Sequence, residues 1–543
     1  MKNKKILIIL LFAALLGSCY KDLGNYSYRE KTVITITNIP GLIEVLGDVD
    51  KITINPVITS SEEGEINADN PNFEYNYMLE YAGGGRINSG TENSGSWLRL
   101  NPRGNRDLDT IARLIPKSYV LWFSVKDKRT GIETITTTNL KVTSTTFEGW
   151  FVLCEEGAGR RVRMDFISKL GENNYVPTYD ILATRNLPTI SNAYGVVFHP
   201  SMYANPGDRI LVMTGAGTFI PDPETFVFNT DISISDIKYS QFLTGKYPDE
   251  NPVYFYSTVA FGGGDDLFVS DKGNAFCLDG GSAGAIYQDP INTTVRSGPP
   301  QYGLAPFIGI NEYRTGTAKK VYSAIFYDKD NKRFVGWSAQ SANSAQITTP
   351  LQDPPSSQKI FSYNTGMDLI YMESTRFSGG VTFAVMQDNS GNRHIYGLNY
   401  PSQYTIGQHS LVNNIPAPEF NQATTFAFSS QYAYTYYGAG NKVYSYDRGT
   451  NTTNVVLTLP AGEVVTKLKF VLIQNDLAYT PSFTEDFIAA QYNLVIGSYN
   501  SSLGNSGGSV RIMRPSSSAN SLTEVNKWSG FGKIVDFAYR ERR

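Results

Sequence analysis

Histidine and cysteine are scarce. The 543 residues hold three of each: His199, His394 and His409, and Cys19, Cys154 and Cys277. A structural zinc site needs four such ligands at close spacing, and no pair of them here has that spacing. None of the three histidines has the setting of a hydrolase triad. Charge is sparse too, at 18% of residues, and no basic stripe is present. That excludes nucleic-acid binding, which needs a positive footprint. Long apolar runs are missing: the one candidate, residues 6–16, is too short to span a bilayer. Amphipathic helix patterns are also rare, which points to an all-β chain.

What the chain does have is tyrosine, phenylalanine and glycine, at 35, 29 and 49 residues. They fall into a repeated hairpin. In residues 431–447, Tyr432, Tyr434 and Tyr436 alternate with other residues, as on a strand. Gly438-Ala439-Gly440-Asn441 supplies a turn that tolerates positive φ. Val443, Tyr444 and Tyr446 then return. Similar hairpins turn at Asp271-Lys272-Gly273-Asn274, at Asp328-Lys329-Asp330-Asn331 and at Asp388-Asn389-Ser390-Gly391-Asn392. Residues 494–497 and 509–513 flank a longer Gly/Ser/Asn loop. Two looser copies pair residues 150–153 with Val162, Met164 and Phe166, and residues 210–213 with Phe226-Val227-Phe228-Asn229. About seven hairpins spaced by roughly 50–65 residues predict seven four-stranded blades, a β-propeller. Residues 170–186 and 410–423 read as connections between blades. Residues 532–539 form a strand with no hairpin partner, expected to pair with the first blade. Cys154 and Cys277 belong to hairpins that should not touch, so no disulfide is expected; both read as buried thiols.

Ahead of the hairpins, residues 32–146 carry seven short alternating strands at 33–37, 43–46, 51–57, 73–81, 97–100, 119–126 and 132–142. This pattern predicts an immunoglobulin-like sandwich. The expected domains are a leader at 1–18, a tether at 19–30, a sandwich at 31–146 and a propeller at 149–543, with 143–146 as the linker. The leader has Lys2, Lys4 and Lys5, then the apolar run, then Leu16-Gly17-Ser18-Cys19. That ending resembles a bacterial lipoprotein signal, in which Cys19 is acylated and becomes the first mature residue. Loss of the leader lysines leaves a mature chain three charges more acidic.

Several stretches resemble the PKD-like lipoproteins of gut Gram-negative bacteria. They are CYKDLGNYSY from Cys19; Tyr119, Leu121, Phe123, Val125, Asp127 and Gly131; Gly149-Trp150-Phe151-Val152-Leu153 with Met164-Asp165-Phe166-Ile167-Ser168; and Gly530-Phe531-Gly532-Lys533-Ile534-Val535-Asp536. The resemblance implies a PKD-type sandwich, a lipid anchor in the outer membrane facing the exterior, and an accessory binding role in nutrient capture. The partners it implies are a SusC-like TonB-dependent transporter and a SusD-like lipoprotein. It supplies no catalytic residues, cofactor or metal.

Other motifs are weaker. Gly280-Gly281-Ser282-Ala283-Gly284 and Gly504-Asn505-Ser506-Gly507-Gly508 match the serine elbow pattern but lack the strand-to-helix setting that the chemistry needs. Asp328, Asp330 and Asp265-Asp266 lack the offsets of a calcium loop and read as solvated turn acids. A propeller glycosidase or lyase would bring two carboxylates together in a central cleft; Glu155, Glu156, Asp165, Asp180 and Asp536 are the candidates. Tyr432, Tyr434 and Tyr436 are the candidate ligand-stacking residues, although such a stripe more often packs sheet on sheet. Asp109-Thr110-Ile111 resembles a short O-glycosylation acceptor, with Thr110 as the site. The alternatives to ligand binding are a purely structural docking role and a degradative enzyme.

Overall fold

The computed structural model describes residues 32–541, with breaks at 48, 83–97, 102, 115, 147, 171–173, 184–189, 200–208, 224–225, 228–249, 258–265, 279–288, 296–297, 311–320, 340–346, 473–489 and 519. The leader, Cys19 and the tether lie outside the described residues, as do Gly280–Gly284, Asp265 and the glycines at 262–264. The chain divides into two compact units, Met1–Ser144 and Thr145–Arg543.

The first unit is all β. Its strands are β1 (Ile34–Thr37), β2 (Leu42–Leu46), β3 (Lys51–Ile54), β4 (Val57–Ser60), β5 (Gly64–Glu65), β6 (Phe73–Tyr81), β7 (Leu98–Arg99), β8 (Leu108–Ile111), β9 (Ser118–Asp127) and β10 (Glu133–Thr143). The main sheet runs β2-β10-β9-β6-β7, with β2 parallel to β10. Smaller sheets join β1, β4 and β5, and β3 and β8. One core receives Phe73, Tyr75, Tyr77 and Leu79 from β6 and Tyr119, Leu121, Phe123 and Val125 from β9. Alternation forces this: one face of each strand is apolar and must be covered. On the other face of β9, the Trp122 indole N–H donates to Glu80 at 3.1 Å. The expected strand at 51–57 is two strands, because Asn55-Pro56 breaks the ladder; β5 and β8 were not anticipated. The fold is immunoglobulin-like.

Among the described residues, the second unit is a succession of seven antiparallel sheets. The first holds β11 (Gly149–Glu156), β12 (Arg161–Lys169) and β13 (Tyr175–Thr178). The second holds β14 (Ala193–His199), β15 (Arg209–Thr214) and β16 (Gly217–Phe219). The third holds β17 (Pro252–Ser257), β18 (Asp266–Ser270) and β19 (Ala275–Leu278). The fourth holds β20 (Gly309–Ile310), β21 (Ser323–Asp328), β22 (Arg333–Ser338) and β23 (Thr349–Pro350). The fifth holds β24 (Asp368–Thr375), β25 (Val381–Gln387), β26 (Arg393–Ser402) and β27 (Thr405–Val412). The sixth holds β28 (Thr425–Phe428), β29 (Tyr434–Ala439), β30 (Lys442–Asp447) and β31 (Thr452–Thr458). The seventh holds β32 (Glu463–Phe470), β33 (Leu494–Asn500), β34 (Gly508–Pro515) and β35 (Leu522–Phe531). The last strand, β36 (Lys533–Arg540), lies antiparallel to β11 and so is the outside member of the first sheet.

The middle strands of these sheets are buried on both faces, so they read as near-continuous apolar runs. Each face belongs to a different core. On β11, Phe151 and Leu153 pack with Val196 and Ile210 of the second sheet. Trp150, Val152 and Cys154 pack with Val495, Val510 and Ile512 of the seventh. Every sheet shares a core with the next, from the second and third through to the sixth and seventh. The turns match their residues: Gly440, between β29 and β30, has φ +57° and leaves a hairpin only two residues wide.

Three expectations need correction. Residues 210–213 lie on β15, which pairs with β14 and β16 rather than with Phe226 and Val227; Phe228 and Asn229 lie outside the described residues. Phe226 instead fills the core against Phe151 and Phe166, which is why it looked like strand. The supposed connections at 170–186 and 410–423 contain β13 and the end of β27. Two of the turn acids are not solvated: Asp328 is fully buried and Asp266 is 1% exposed, whereas Asp330 is exposed as expected. Asp328 accepts from the Asn331 backbone and side chain and from Arg333 Nε, at 2.8–3.0 Å, tying its hairpin.

Candidate ligand-binding site

The first strands of the sheets meet one another. β36 contacts β14 and β32, β14 contacts β17, β20 contacts β24, β24 contacts β28, and β28 contacts β32. Charged groups gather where they meet. Lys467 and Lys469 stand two residues apart on β32, hence on one face of that strand. Both reach the same atom, Asp536 Oδ1 on β36, at 3.2 and 2.9 Å. Lys469 also donates to the Phe537 carbonyl at 2.7 Å. Asp536 Oδ2 accepts from the Val196 N–H of β14 at 3.2 Å. A Cβ at Gly195 beside it would lie 3.2 Å from Asp536 Oδ2 and 2.7 Å from the movable Met213 Cε, so the fit here is close.

Across this group, Glu373 on β24 accepts the Phe428 N–H at 2.6 Å and the Tyr371 hydroxyl. The Arg448 guanidinium lies 4.1 Å from the Phe383 ring centroid and 5.4 Å from that of Phe428, and donates to Thr435 Oγ1 at 2.9 Å. Its Nη2 has no hydrogen-bond partner among the described residues.

Electrostatics separates the two acids. Burial raises the Asp536 carboxyl, but the charges of Lys467 and Lys469 outweigh it and hold the group down at about 2. Burial raises Glu373 to about 7, against the opposing hydrogen bonds from Tyr371 and Phe428. Burial lowers Arg448 to about 9. It also lowers Lys469, with Asp536 opposing and Lys467 adding to the shift. Yet Lys467 and Lys469 keep 29% and 30% of their side-chain surface accessible. Both ammonium groups therefore stay within reach of solvent.

The other candidate acids lie elsewhere, in a network around the β11–β12 turn. Arg163 joins Asp165 at 2.6 Å, Glu156 at 2.8 Å and the carbonyls of Asn505 and Gly530. Arg161 bridges Glu156 and Asp180, and Arg160 holds Glu155. Burial lifts Asp165 to about 6, with Arg163 opposing. Thus of the five acids only Asp536 belongs to the cluster on the first strands. Lys467, Lys469, Glu373 and Arg448 were missed from sequence. The available signal was a pair of lysines on a strand whose neighbours are covered on both faces.

Tyr434 and Tyr436 are 7% and 1% exposed and sit in the core between the sixth and seventh sheets. Neither offers a ring face to a ligand, because both sides of β29 are covered by adjoining sheets. Tyr432 is half-buried and stacks on Tyr434 at 5.1 Å. Thr110 is half-buried on β8 opposite Ile52, beside the Lys51–Asp109 pair. Ser506 ends an exposed 3-10 segment, Ser501–Ser506, and no histidine bonds it among the described residues. His394 bonds Asn413, and His409 bonds Ser410. Cys154 is buried and its thiol is raised by burial; Cys277 is half-buried. Among the described residues no group of three His, Cys, Asp or Glu could hold a metal ion, and no helix is long and apolar enough to cross a membrane.

No curated protein matches the chain significantly. Similar solved structures include a quinoprotein alcohol dehydrogenase-like protein from Bacteroides thetaiotaomicron, at 10% identity and TM-score 0.42, covering 93% of this chain and 98% of that one. A protein from Lactobacillus plantarum has 11% identity and TM-score 0.44, covering 73% and 100%. An apocarotenoid oxygenase mutant from Synechocystis has 9% identity and TM-score 0.36, covering 94% and 96%. Likenesses this remote carry no function across. The sequence match that reaches into the described units is to the PKD-like family, over residues 19–190, which takes in the first unit and the first three strands of the second.

Proposed function

We propose that this chain is a lipid-anchored binding protein of the outer membrane surface, held by Cys19 and serving a SusC/SusD-like nutrient-uptake system. Its second unit is a seven-bladed β-propeller on this reading. Seven successive sheets, cores shared between neighbours including the seventh and the first, and the pairing of β36 with β11 support that architecture. A ring of this kind gathers its first strands around an axis. The observation that carries the binding role is the lysine pair on β32, which shares one carboxylate oxygen and still stays partly accessible. Charged groups of this kind fix the orientation of a ligand in a pocket. The anchor and the transporter partners rest on the leader and on the PKD-like resemblance. Pull-down from detergent-solubilised membranes tests the partners: a TonB-dependent transporter and a lid lipoprotein should accompany the wild type, and their absence sinks the assignment.

A second reading has its own observation. Glu373 and Asp536 are driven apart to about 7 and 2, the pattern by which one site keeps an acid beside a carboxylate. A glycosidase or lyase would use such a pair. Incubation with glycans and peptides, following both binding and product release, separates the readings. Binding without products supports the first; turnover abolished by Glu373→Gln selects the second.

A further inference from the structure

The lysine pair has donors to spare. Each ammonium has three donors. Among the described residues Lys467 pairs with one acid, Asp536 at Oδ1, and Lys469 shares that same oxygen. Like charges this close repel, and among the described residues one carboxylate bonds both. Glu373, the next acid, accepts its hydrogen bonds from the Tyr371 hydroxyl and the Phe428 N–H and acts on the two lysines only through its charge. Arg448 adds a third cation to the neighbourhood. A second anion at the pair would relieve the repulsion and take up the spare donors, through charge-assisted hydrogen bonds.

The surroundings narrow the anion. Tyr371 is half-buried and part of an aromatic group: its ring lies 6.3 Å from Phe428 and 5.5 Å edge-on from Phe307, and Tyr254 lies 6.2 Å from Phe307. Both Tyr371 and Tyr254 are strand residues beside the charged cluster. Aromatic rings next to cations suit a ligand with an apolar face and a carboxylate. A bare inorganic ion would use the lysines alone.

Resting on the binding reading above, we infer that the space beside Lys467 and Lys469 takes a carboxylated sugar, a uronic acid unit of a glycan, with its carboxylate on the two ammonium groups. Asp536 then acts as the built-in competitor that keeps the lysines in place while the site is empty.

Calorimetric titration of the full-length protein in detergent tests this. The probes are oligogalacturonate, its neutral galactose counterpart, and a short peptide with a free C-terminal carboxylate. The acidic sugar should bind at least tenfold more tightly than the neutral one, equivalent to about 1.4 kcal/mol, and more weakly as salt is raised. Lys467→Met should remove that preference, while Lys51→Met in the first unit should leave it intact. Asp536→Asn should strengthen binding of the acidic sugar by freeing the lysines, an effect that a purely structural role would not produce. Equal binding of the neutral sugar, with Lys467→Met silent, overturns the uronate assignment and leaves the general binding role standing. Preferential binding of the peptide overturns it in favour of a peptide carboxylate. No binding of any probe, with partners still captured from membranes, removes both and leaves a docking role.

Discussion

Two charged groups in the second unit differ in how completely they are satisfied. Around the β11–β12 turn, Arg163 meets two carboxylates and two carbonyls, and Arg161 meets two carboxylates. Arg163 keeps 6% of its side-chain surface exposed. Where the first strands meet, two lysines share one oxygen and keep about five times that exposure. Arginine suits the first setting because its planar fork binds several acceptors at once; lysine suits the second as a point charge with donors to spare. The first group uses its arginine donors within the fold and leaves only Asp180 Oδ1 unbonded among the described residues, whereas the second retains unused donors. Counting charged residues would not have told them apart.

The largest expected effect removes one side of the comparison. Truncation after Phe531 deletes Asp536 and bares the β11 edge, so the second unit should lose its cooperative melting transition and aggregate. A truncated protein that melts unchanged would show that β36 is dispensable. Next, Arg163→Met leaves Asp165 buried without a guanidinium and Glu156 with Arg161 alone. Chemical denaturation should show a loss of roughly 3–5 kcal/mol; a loss near zero would mean the network is ornamental.

The pH dependence should have opposite signs at two acids of the second group. Glu373 is raised from 4.5 to about 7. Its contribution to stability is therefore present below about pH 4.5 and lost as the pH climbs to 7. Asp536 is lowered from 3.8 to about 2; its contribution is present above 3.8 and lost as the pH falls towards 2. Denaturation midpoints between pH 4.5 and 7 should decline less steeply in Glu373→Gln than in the wild type. An unchanged slope would place Glu373 in water. The smallest effect is Lys467→Met, expected to shift stability by no more than about 0.5 kcal/mol, since its ammonium is accessible and only shares Asp536. A large loss would turn the lysine pair into a structural feature like the Arg163 network.

The strands were legible wherever local chemistry decided them. Phe73–Tyr81 shows its alternation openly, because one face is core and the other is not. The hairpins at Gly273, Asn331 and Gly391 announce themselves through turn residues. The misreadings came from outer strands. β27, Thr405–Val412, is half-buried along most of its length and carries no apolar stripe, so it passed for a connection. The site was legible only at Asp536. Lys467 and Lys469 look, in EVVTKLKF, like the solvent side of an amphipathic strand. Their meaning comes from β36 and β24, which pairing across the fold brings beside them and no local pattern encodes.

The pairing of β36 with β11 also governs when the protein can be finished. Tyr539 and Glu148, joined by a hydrogen bond, are 391 residues apart in sequence. Closing a loop of that length costs about 5 kcal/mol by logarithmic scaling, and high contact order slows folding. As the chain is synthesised, β11 waits with an open edge until β36 emerges. Chains that stop before β36 therefore present an unpaired strand to whatever quality control they meet, and pairing with β36 conceals it.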